Sequence, residues 1–596
     1  MRQLGAGGPQ RWTIGFSSGL DGWNTNEALV QGSLKLFTHR RTELDWNDIP
    51  WSGVGKGAID HPSWRMWLHS LKWVDQLVAG SLRSGPEGGS SFRELAVKVA
   101  QSWIAWDQSQ GAKTLPAWDG HASGLRLTTL VGLAELVDEP WIRNAVRAHT
   151  IHCLSDDFFD GHWNHGVVQS IGGLAGALLL NLPEEIKRAR SRLMDSFSVM
   201  IDSEGAVNEQ ATGYGRYVAR LLETVVSLFD QNGFQEHIQL QKSLAKLRQF
   251  IYHSIEPSGD YVQLGDSYPN DESSGEGKPR SWFDSADDAE FPPAARVKVY
   301  REGYVFGRSG WGESRPFSDE SFYSVRFGRG RVIHGHNDHM SVTWYDHGRN
   351  LIIDSGHSGY APGVVRDHLR SPSAHNVLEI VGHRHDWSVA TSLTSHQQRE
   401  HSSFYEFEDS AYGVKRTRTM LAVDKGPLIF VDRAGQNGRQ YHFRQLWHIA
   451  PEFELAESSQ DMVRFSSARG DLELVLIRFH VTRENLHGHS GMSYWRGNLE
   501  PVQGIVARRE GEALPAPCVG FDVKGEQVFL LTAAVAVPAG EDLGWSLRSD
   551  TDTTCVLRIH VGQDSFSIDV NRMTGMLSLR SRPGFPADLQ RKWDKP

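Results

Sequence analysis

The spacing of hydrophobic positions changes near the middle of the chain from a helical period to a strand period. Between residues 62 and 256, apolar side chains recur every three or four positions, for example from Trp67 to Leu77. From residue 297 onward, short runs of β-branched and aromatic residues alternate with Gly, Asp and Asn turns. The pattern predicts an α+β multidomain protein, with an N-terminal α-helical toroid or bundle of paired helices over residues 1–257 and a large antiparallel β-sandwich over 297–596.

Residues 258–296 separate the two patterns, and Ser, Gly, Asp, Glu and Pro dominate this stretch. Such a composition is typical of loops. We therefore predict a linker or an extended surface loop over 258–296. The length of the chain agrees with this division, because 596 residues exceed what a single hydrophobic core supports.

The charge and the cysteines exclude several classes of protein. A formal net charge of −10 argues against nucleic acid as a partner and would repel an acidic ligand at long range. An anionic ligand would therefore need a local basic or amide-rich pocket. The three cysteines, Cys153, Cys518 and Cys555, are far apart and lack C-x-x-C spacing, so neither a disulfide framework nor a thiolate zinc site is indicated.

Neither a leader nor a membrane anchor is indicated by the hydropathy of the chain. Residues 1–9 lack the apolar core of a signal peptide. Polar residues and glycines interrupt the apolar stretch 166–182, which makes it too polar to span a bilayer. We expect a cytoplasmic protein with no membrane partner, unless an export signal precedes this start.

The first candidate cluster contains Asn164, His165 and Gln169. Asn164 lies where a helix is predicted to begin, so an N-cap is one interpretation. His165 and Gln169 are four residues apart and share a helix face. The second interpretation is a binding site for a substrate carboxylate, because free N–H groups and the helix dipole favour negative charge at a helix start.

The second candidate cluster surrounds Tyr214. This tyrosine extends the apolar stripe that continues through Val218 and Leu221, which is typical of a core residue. Gly213 and Gly215 flank it, however, and leave its ring poorly covered. A phenol in such a position can donate or accept a proton, so both interpretations stay open.

The third candidate cluster is the run His-Gly-His-Asn-Asp-His at residues 334–339, directly before an apolar strand pattern. On a regular strand, His334 and His336 would point to the same side. Asp354 and His375 follow in later segments. Two imidazoles and one carboxylate from neighbouring strands would suit a zinc ion. The run therefore suits a metal site, a proton-transfer site, or one of each.

Together the clusters resemble the heparinase II/III-like polysaccharide lyases, over nearly the whole chain from about Trp46 onward. The motifs occur in the family's order across the change from helices to strands, so the set is more specific than any one of them. They are Asn-His-Gly-x-x-Gln at 164–169, Glu-Gln-x-x-x-Tyr at 209–214, His-x-His-x-Asp at 334–338, Ile-Asp-Ser-Gly at 353–356 and Arg-Ser-x-x-Ala-His-Asn at 370–376.

The resemblance implies a carbon–oxygen lyase that cleaves a polysaccharide at C4 of a uronic acid by β-elimination. Asn164 matches the residue that neutralises the uronate carboxylate, and His165 and Gln169 would line the same subsite. Tyr214 and His334 match the family's proton-transfer pair. Tyr214 would donate a proton to the leaving oxygen and, for some epimers, also act as the base. His334 would be the base or a partner of the carboxylate.

The resemblance further implies a structural Zn²⁺ ion in the β-sandwich and no organic cofactor. His336, Asp354 and His375 match the metal ligands of some members. The metal would then hold the loop that carries His334 and would take no part in the chemistry. Gly335 would ease the divergence of the two imidazoles on either side of it.

The expected partner is an anionic, uronate-containing oligosaccharide or polysaccharide, with Tyr360 and Arg370 as further substrate contacts. The motifs contain no dense basic cluster, which favours a non-sulfated uronate polymer over a heavily sulfated one. A uronyl C5-epimerase, which abstracts the same proton, and a non-catalytic acidic-glycan-binding protein remain alternatives. A glycoside hydrolase would need two facing carboxylates, for which only Glu209 and Asp202 lie near the second cluster. The oligomeric state stays open.

Overall fold

The computed structural model of the protein describes residues 23–36, 39–111, 113–269, 293–480 and 490–581. These residues form a helical unit and a β-rich unit. The helical unit contains the described residues up to Asn208 together with Tyr214–Phe250. The β-rich unit contains Glu209–Gly213, Ile251–Pro269 and the described residues after 292. The predicted fold class, helices followed by antiparallel sheets, is confirmed.

Ten helices, with one short hairpin, precede the sheets in the described residues. Proline occupies the start of α2, α6 and α8, where its missing N–H group costs no hydrogen bond. None of the described helices has both the length and the apolar character that crossing a membrane requires. The elements are α1 Asn26–Val30, β1 Ser33–Leu34, β2 Thr42–Glu43, α2 Pro62–His69, α3 Asp75–Gly88, α4 Ser90–Gln110, α5 Gly120–Leu136, α6 Pro140–Leu154, α7 Asn164–Leu179, α8 Pro183–Met200, α9 Thr212–Gln231 and α10 His237–His253.

Helices α5 and α7 lie at the centre of the helical unit and approach each other closely. α5 is buried on all sides from Gly120 to Ala134. A Cβ atom on Gly124 would lie 2.6 Å from the carbonyl oxygen of Val168, and one on Gly172 would lie 2.5 Å from that of Gly124. Glycine at these positions therefore lets the two backbones touch, which fixes the start of α7 beside the start of α5.

The β-rich unit consists mainly of four antiparallel sheets. The strand order is β14-β15-β16-β23-β12-β11-β10-β9 in an eight-stranded sheet, β3-β4-β5-β6-β7 in a five-stranded sheet, and β17-β22-β13-β8 and β24-β25-β26-β27 in two four-stranded sheets. The elements are β3 Val297–Tyr300, β4 Tyr304–Arg308, β5 Phe322–Arg326, β6 Val342–Asp346, β7 Arg349–Ile352, α11 Val364–Leu369, β8 Leu378–Ile380, β9 Ser392–Arg399, β10 Ser402–Asp409, β11 Arg416–Val423, β12 Leu428–Gly435, β13 Tyr441–His448, β14 Phe453–Ser458, β15 Met462–Ser467, β16 Leu472–Phe479, β17 Ser490–Arg496, β18 Asn498–Leu499, β19 Val502–Gln503, β20 Ile505–Val506, β21 Leu514–Pro515, β22 Pro517–Gly525, β23 Gln527–Pro538, β24 Leu543–Ser549, β25 Thr554–Val561, β26 Asp564–Asn571 and β27 Leu577–Ser581.

The eight-stranded sheet is covered on both faces. On one face, Tyr405 and Met420 join a core that includes Trp344 of the five-stranded sheet. On the other face, Phe404 and Leu421 join a core shared with the C-terminal four-stranded sheet. Because successive strand residues point to opposite faces, β11 is buried at every position and shows no alternation of apolar and polar residues. The predicted β-sandwich is therefore present with a further sheet packed on its outer face.

The predicted linker over 258–296 lies only partly within the described residues, and that part belongs to the β-rich unit. In residues 258–269 the side chains of Tyr261, Val262 and Leu264 are buried. Val262 also donates a backbone hydrogen bond to the carbonyl of Ser254 at 2.9 Å. The polar residues of this part form turns, and one of them, Asp266, is a buried carboxylate. Polar composition was therefore not a sign that the segment is exposed to solvent. Residues 270–292 lie outside the described residues.

Candidate active site

Asn164 is the first residue of α7, and the N-cap is Trp163, whose side chain makes no capping bond. The N-cap interpretation of Asn164 is therefore wrong. The Asn164 side chain is buried at the helix start, where the helix dipole gives partial positive charge. An amide in this place suits the recognition of a carboxylate.

Gln169 lies one turn further along α7 and is 1% exposed. Its Nε2 donates to the carbonyl of Phe158 at 2.7 Å, and its Oε1 accepts from the backbone N–H of Asp160 at 3.0 Å. Both ends of the amide are thus engaged by the loop before α7. Gln169 thus supports this loop, and its contact with a substrate stays a prediction.

His165 is the exposed member of the first cluster, with 47% of its side chain accessible. Its Nδ1 lies 3.7 Å from Asp160 Oδ2 and 3.9 Å from Asp119 Oδ1. The three side chains bring their ligand atoms within 4.8 Å of one another, and we call Asp119, Asp160 and His165 the open group. Asp119 is also the N-cap of α5, because its Oδ1 accepts from the backbone N–H of His121 at 2.9 Å.

A chain of aromatic rings connects His165 with Tyr214 within the helical unit. The rings of His165 and His121 are 4.9 Å apart, and His121 Nε2 lies 3.0 Å from the hydroxyl of Tyr217. The ring of Tyr217 lies 6.5 Å from that of Tyr214, which is half-buried on the first turn of α9. Burial, and next the charge of His165, hold the pKa of His121 well below its usual value. Burial thus favours the neutral form of His121. The sequence interpretation missed this residue, although it lies two positions after the N-cap Asp119.

The third cluster lies in the β-rich unit, in a loop and not on a strand. Residues 331–341 contain no strand, and β6 begins only at Val342. His334 keeps 12% of its side chain exposed, whereas the His336 side chain is fully buried. The strand rule therefore does not apply to these two imidazoles, and both of them face the carboxylate of Asp266. A Cβ on Gly335 would lie 2.2 Å from Gln210 Oε1, so a larger residue here would displace the Gln210 amide.

Asp266 is the hub of this cluster, and the sequence interpretation missed it. Its Oδ2 lies 3.3 Å from His334 Nδ1, and its Oδ1 lies 3.1 Å from His336 Nε2 and 2.9 Å from His357 Nδ1. Arg366 Nη2 is 3.4 Å from Oδ2. Burial opposes ionisation of Asp266, but the hydrogen bonds to the three histidines more than offset it. The pKa of the carboxyl therefore lies far below its usual value.

Two further groups contact His334 from other sides. The buried carboxylate of Glu209 places Oε2 3.4 Å from His334 Nε2. The hydroxyl of Tyr360 lies 3.3 Å from His334 Nδ1, and Tyr360 itself is 53% exposed. The predicted substrate contact Tyr360 is thus beside the predicted catalytic histidine. Two carboxylates flank the imidazole and would stabilise the positive charge that it gains on accepting a proton.

Gln210, next to Glu209, fixes the loop that carries His334. Its Nε2 donates to the carbonyls of Arg329 at 3.2 Å and Gly330 at 3.0 Å, and its Oε1 accepts from the backbone N–H of Val332 at 2.9 Å. Gln210 itself has a positive φ of 61°, which is uncommon outside glycine. Glu209 and Gln210 of the second motif therefore contact residues of the β-rich unit, whereas Tyr214 of the same motif belongs to the helical unit.

His336, Asp354 and His375 form a second set of facing ligands, which we call the buried group. Their ligand atoms lie within 4.8 Å of one another and none of the three is exposed. His336 Nδ1 makes no hydrogen bond to any described residue, and His375 faces Asp354 through Nδ1. Two buried imidazoles, one of them with an unpartnered nitrogen, and a carboxylate form a donor set that suits Zn²⁺, so the residues present fit the ion.

The buried group is electrostatically balanced without a metal. His375 Nδ1 lies 2.7 Å from Asp354 Oδ2. Burial acts to raise the pKa of Asp354, but the charge and hydrogen bond of His375 lower it by more than burial raises it. The net shift of this pKa is therefore downward. The pKa of His375 is raised because Asp354 outweighs the effect of burial. A bound cation would replace the shared proton of this pair.

His336 also belongs to a third set of facing ligands, with Asp266 and His357. The oxygens of Asp266 already face four donors, whereas the free nitrogen of His336 is Nδ1 and not the Nε2 that faces Asp266. The buried group is therefore the better metal site of the two.

Two arginines give this region local positive charge that the sequence did not reveal. Arg370 caps α11, and its carbonyl accepts from the backbone N–H of Asn337 at 3.1 Å. The guanidinium of Arg331 lies 5.2 Å from the ring centroid of Trp387, which is 49% exposed. Burial, and next the charge of Arg370, lower the pKa of Arg331. The predicted substrate contact Arg370 thus has a second cation close enough to couple with it.

The sequence model of one protein family, described as the heparinase II/III-like C-terminal domain, matches residues 323–515. This range contains the buried group, His334, Tyr360 and Arg370. A search of curated protein sequences found no match to the chain. The resemblance seen in the motifs is confirmed over residues 323–515, which match a heparinase II/III-like C-terminal domain.

Solved structures extend the likeness to the whole chain. Heparinase III has a TM-score of 0.73 at 14% identity, over 96% of this chain and 92% of that one. The heparan sulfate lyase HepC from Pedobacter heparinus has a TM-score of 0.68 at 13% identity, over 95% and 92%. Chondroitin AC lyase from Streptomyces coelicolor A3, determined in complex with chondroitin sulphate, has a TM-score of 0.53 at 9% identity, over 97% and 87%. At these identities the likeness establishes the fold.

Proposed function

We propose that this protein is a polysaccharide lyase that cleaves a uronate-containing, anionic glycan by β-elimination. The observation that carries the proposal is the partly exposed imidazole of His334, fixed between two carboxylates and beside an exposed phenol. It occurs in a heparinase II/III-like domain, and the similar structures include lyases of heparan sulfate and chondroitin. These facts together support a lyase of glycosaminoglycan-like polymers.

The reaction needs a group that neutralises the uronate carboxylate. Removal of the proton at C5 gives an enolate with a second negative charge beside that carboxylate, so electrostatic stabilisation is a large part of catalysis. Asn164 at the start of α7 takes this role in the proposal, with His165 nearby on the same turn. The buried amide and the helix start both favour negative charge.

The proton transfers fall to His334 and Tyr214 in this proposal. His334 removes the C5 proton, a double bond forms between C4 and C5, and the bond from C4 to the leaving oxygen breaks. Tyr214 gives its phenolic proton to that oxygen and later regains one from solvent. Asp266 and Glu209 stabilise the imidazolium that His334 becomes.

A Zn²⁺ ion is the proposed metal, held by His336, Asp354 and His375. When bound, it supplies fixed geometry and positive charge in the β-sandwich and no reacting group. His336 is two residues from His334 on a loop already held by Gln210. The ligand set thus keeps the base in place.

The substrate class in this proposal is broader than the non-sulfated uronate polymers that the sequence motifs favoured. The chain as a whole is acidic, with a net charge of −10, but Arg331 and Arg370 supply a local pair of cations. Trp387 and Tyr360 offer exposed aromatic rings in the same part of the β-rich unit. Sulfated glycosaminoglycans therefore join non-sulfated uronate polymers as candidates.

The test is the ultraviolet absorbance of an unsaturated uronate, followed with purified protein on heparan sulfate, chondroitin, hyaluronan, alginate and their oligosaccharides. A rise on one of them, absent in His334→Ala, supports the lyase and names its substrate. No rise on the panel, with exchange of the C5 proton for deuterium, would identify an epimerase instead. Binding without either signal would reduce the protein to an acidic-glycan-binding role.

A further inference from the structure

The carboxylate of Asp266 divides its oxygens between two histidines that the proposed function treats separately. Oδ2 faces His334, the proposed base, at 3.3 Å. Oδ1 faces His336, the proposed metal ligand, at 3.1 Å. We infer that Asp266 is a positioning residue that couples the orientation of His334 to the occupancy of the metal site. The inference rests on the proposed function for the identity of base and metal.

The position of Asp266 between the two rings favours one tautomer of each. Its oxygens face Nδ1 of His334 and Nε2 of His336, so these nitrogens are placed to donate to it. Neutral His336 then has its lone pair on Nδ1, the atom that makes no hydrogen bond to a described residue. The other nitrogen of His334, Nε2, lies 3.4 Å from Glu209 Oε2, so a neutral His334 with its lone pair there requires the proton on Glu209. One carboxylate therefore prepares one imidazole for a metal and the other for a proton.

The backbone of Asp266 is joined to His334 as well. The Asp266 N–H donates to the carbonyl of His334 at 2.8 Å. The preceding Gly265 has φ of 61°, and a Cβ there would lie 2.6 Å from the same carbonyl oxygen and 2.3 Å from that of Gln210. Only glycine permits this approach. Displacement of Asp266 therefore moves the base through main chain and side chain together.

The coupling should act on the rate and not on substrate binding. Asp266 is 4% exposed, so it does not contact a sugar. A metal on Nδ1 of His336 would hold its ring with Nε2–H on Oδ1. Without it, only the hydrogen bond to Oδ1, which also faces His357 Nδ1 at 2.9 Å, would hold the ring, and Asp266 would be held less firmly against His334. The loss appears in kcat, with KM nearly constant.

The decisive variant is Asp266→Asn, which keeps the size of the side chain. It replaces one carboxylate oxygen by an NH₂ group, a donor, where the histidines that face Asp266 need an acceptor. We expect Zn²⁺ affinity, measured by competition with a chromophoric chelator and no sugar present, to fall about 10- to 100-fold. The matched control is Asp522→Asn. Asp522 also accepts from a histidine and an arginine, His442 at 2.6 Å and Arg444 at 2.9 Å, and should leave Zn²⁺ affinity unchanged. Equal affinities in the wild type and Asp266→Asn would overturn the inference.

A cycle of mutation and metal removal separates coupling from general damage. Zinc removal should lower kcat of the wild type about tenfold and that of Asp266→Asn less than about twofold, because the link is already broken. Equal fold losses in both proteins would mean that the two sites are independent. Asp266→Glu keeps the charge but moves it by one methylene, and intermediate Zn²⁺ affinity is expected. Full wild-type affinity there would show that any buried charge suffices.

The inference can fail separately from the proposed function. If no uronate polymer is a substrate, the lyase proposal fails, but coupling is still measurable through zinc alone. Because coupling is reciprocal, His334→Gln should weaken Zn²⁺ binding about threefold in the wild type and not in Asp266→Asn. An identical effect in both backgrounds would overturn the coupling whatever the reaction is.

Discussion

The open group of the helical unit and the buried group of the β-rich unit contain the same kinds of residue in opposite surroundings. Both bring histidine and aspartate atoms within 4.8 Å of one another. In the open group, His165 is 47% exposed and water can solvate every member. In the buried group, no member is exposed and Nδ1 of His336 has no partner among the described residues.

The difference shows that spacing alone does not define a metal site. Solvated carboxylates already have good partners in water, so a cation gains little by displacing it. Buried nitrogens without hydrogen bonds gain fully from a cation, and Asp266 orients one of the rings from behind. The open group is instead suited to contact with a sugar, and the buried group to holding a loop.

The largest loss of activity is expected from a substitution in the helical unit, which contains the open group. Tyr214→Phe removes the proposed proton donor and should lower kcat about 10²- to 10⁴-fold, with an unchanged melting curve. Tyr217→Phe is the matched control, because it removes the hydroxyl next to His121 but keeps a ring on the same helix. It should retain most of the activity. Turnover of Tyr214→Phe at the wild-type rate would end the assignment of Tyr214.

The second prediction sets the two groups against each other directly. His336→Ala should abolish stoichiometric Zn²⁺ binding and lower stability by about 3 kcal/mol when the free metal is near one hundred times its dissociation constant. His165→Ala, in the open group, should change neither. Metal analysis and thermal melts with and without chelator give the answer. A wild type that binds no metal, with a melting curve shared by His336→Ala, would remove the zinc proposal.

The third prediction concerns two carboxylates of one segment, Asp266 and Glu256. Burial raises the pKa of Glu256 to about 8, although a hydrogen bond from Asn350 at 3.2 Å opposes the rise. A folded-state pKa above the unfolded value gives stability that is complete below the unfolded pKa and is lost as the pH rises through the folded pKa. As the pH rises from about 5 to about 8, the free energy of unfolding of the wild type should therefore fall by a few kcal/mol. That of Glu256→Gln should not show this fall.

Melting temperatures of wild type and Glu256→Gln across this range would show the divergence. Asp266 should contribute in the other direction, because its lowered pKa gives stability that is present at neutral pH and lost only in strong acid. A constant difference between wild type and Glu256→Gln at every pH would contradict the buried, neutral state of Glu256.

The smallest effect is expected at Arg331. Arg331→Ala should raise KM for an anionic polymer about tenfold, with little change in kcat, because it removes one cation that binds ground state and transition state alike. Added salt should weaken binding less in this variant than in the wild type. The control is Arg384→Ala, which removes the same charge from an exposed position. Equal effects of both substitutions would reduce the role of Arg331 to overall charge.

The fold was predictable because its signals are periodic and local. The helical spacing over residues 62–256 and the strand runs after residue 297 repeat over many residues, and tertiary contacts reinforce them. The stripe from Trp67 to Leu77 is nevertheless divided between α2 and α3. The motifs also located His334, His336, Asp354 and His375, since the resemblance named these positions. The close approach of α5 and α7 through Gly124 and Gly172 was not predicted, because no short-range pattern reports which helices touch.

The hub of the site was not predictable from the same signals. Asp266 meets His334, His336 and His357 across 68 to 91 residues, and its neighbours look like those of any polar turn. Gln210 likewise binds carbonyls about 120 residues away. Such contacts depend on the completed fold. Gly265 beside a buried aspartate is the one local sign, and only the close carbonyls reveal its meaning.

The membership of Glu209–Gly213 and Ile251–Pro269 in the β-rich unit has a consequence for biosynthesis. Both segments leave the ribosome before any strand of the large sheets has been made, so Glu209, Gln210 and Asp266 must wait for residues beyond 330. The two units therefore cannot mature strictly one after the other. A cut at residue 257 would divide these segments between two fragments, and neither fragment would contain every residue that fixes His334.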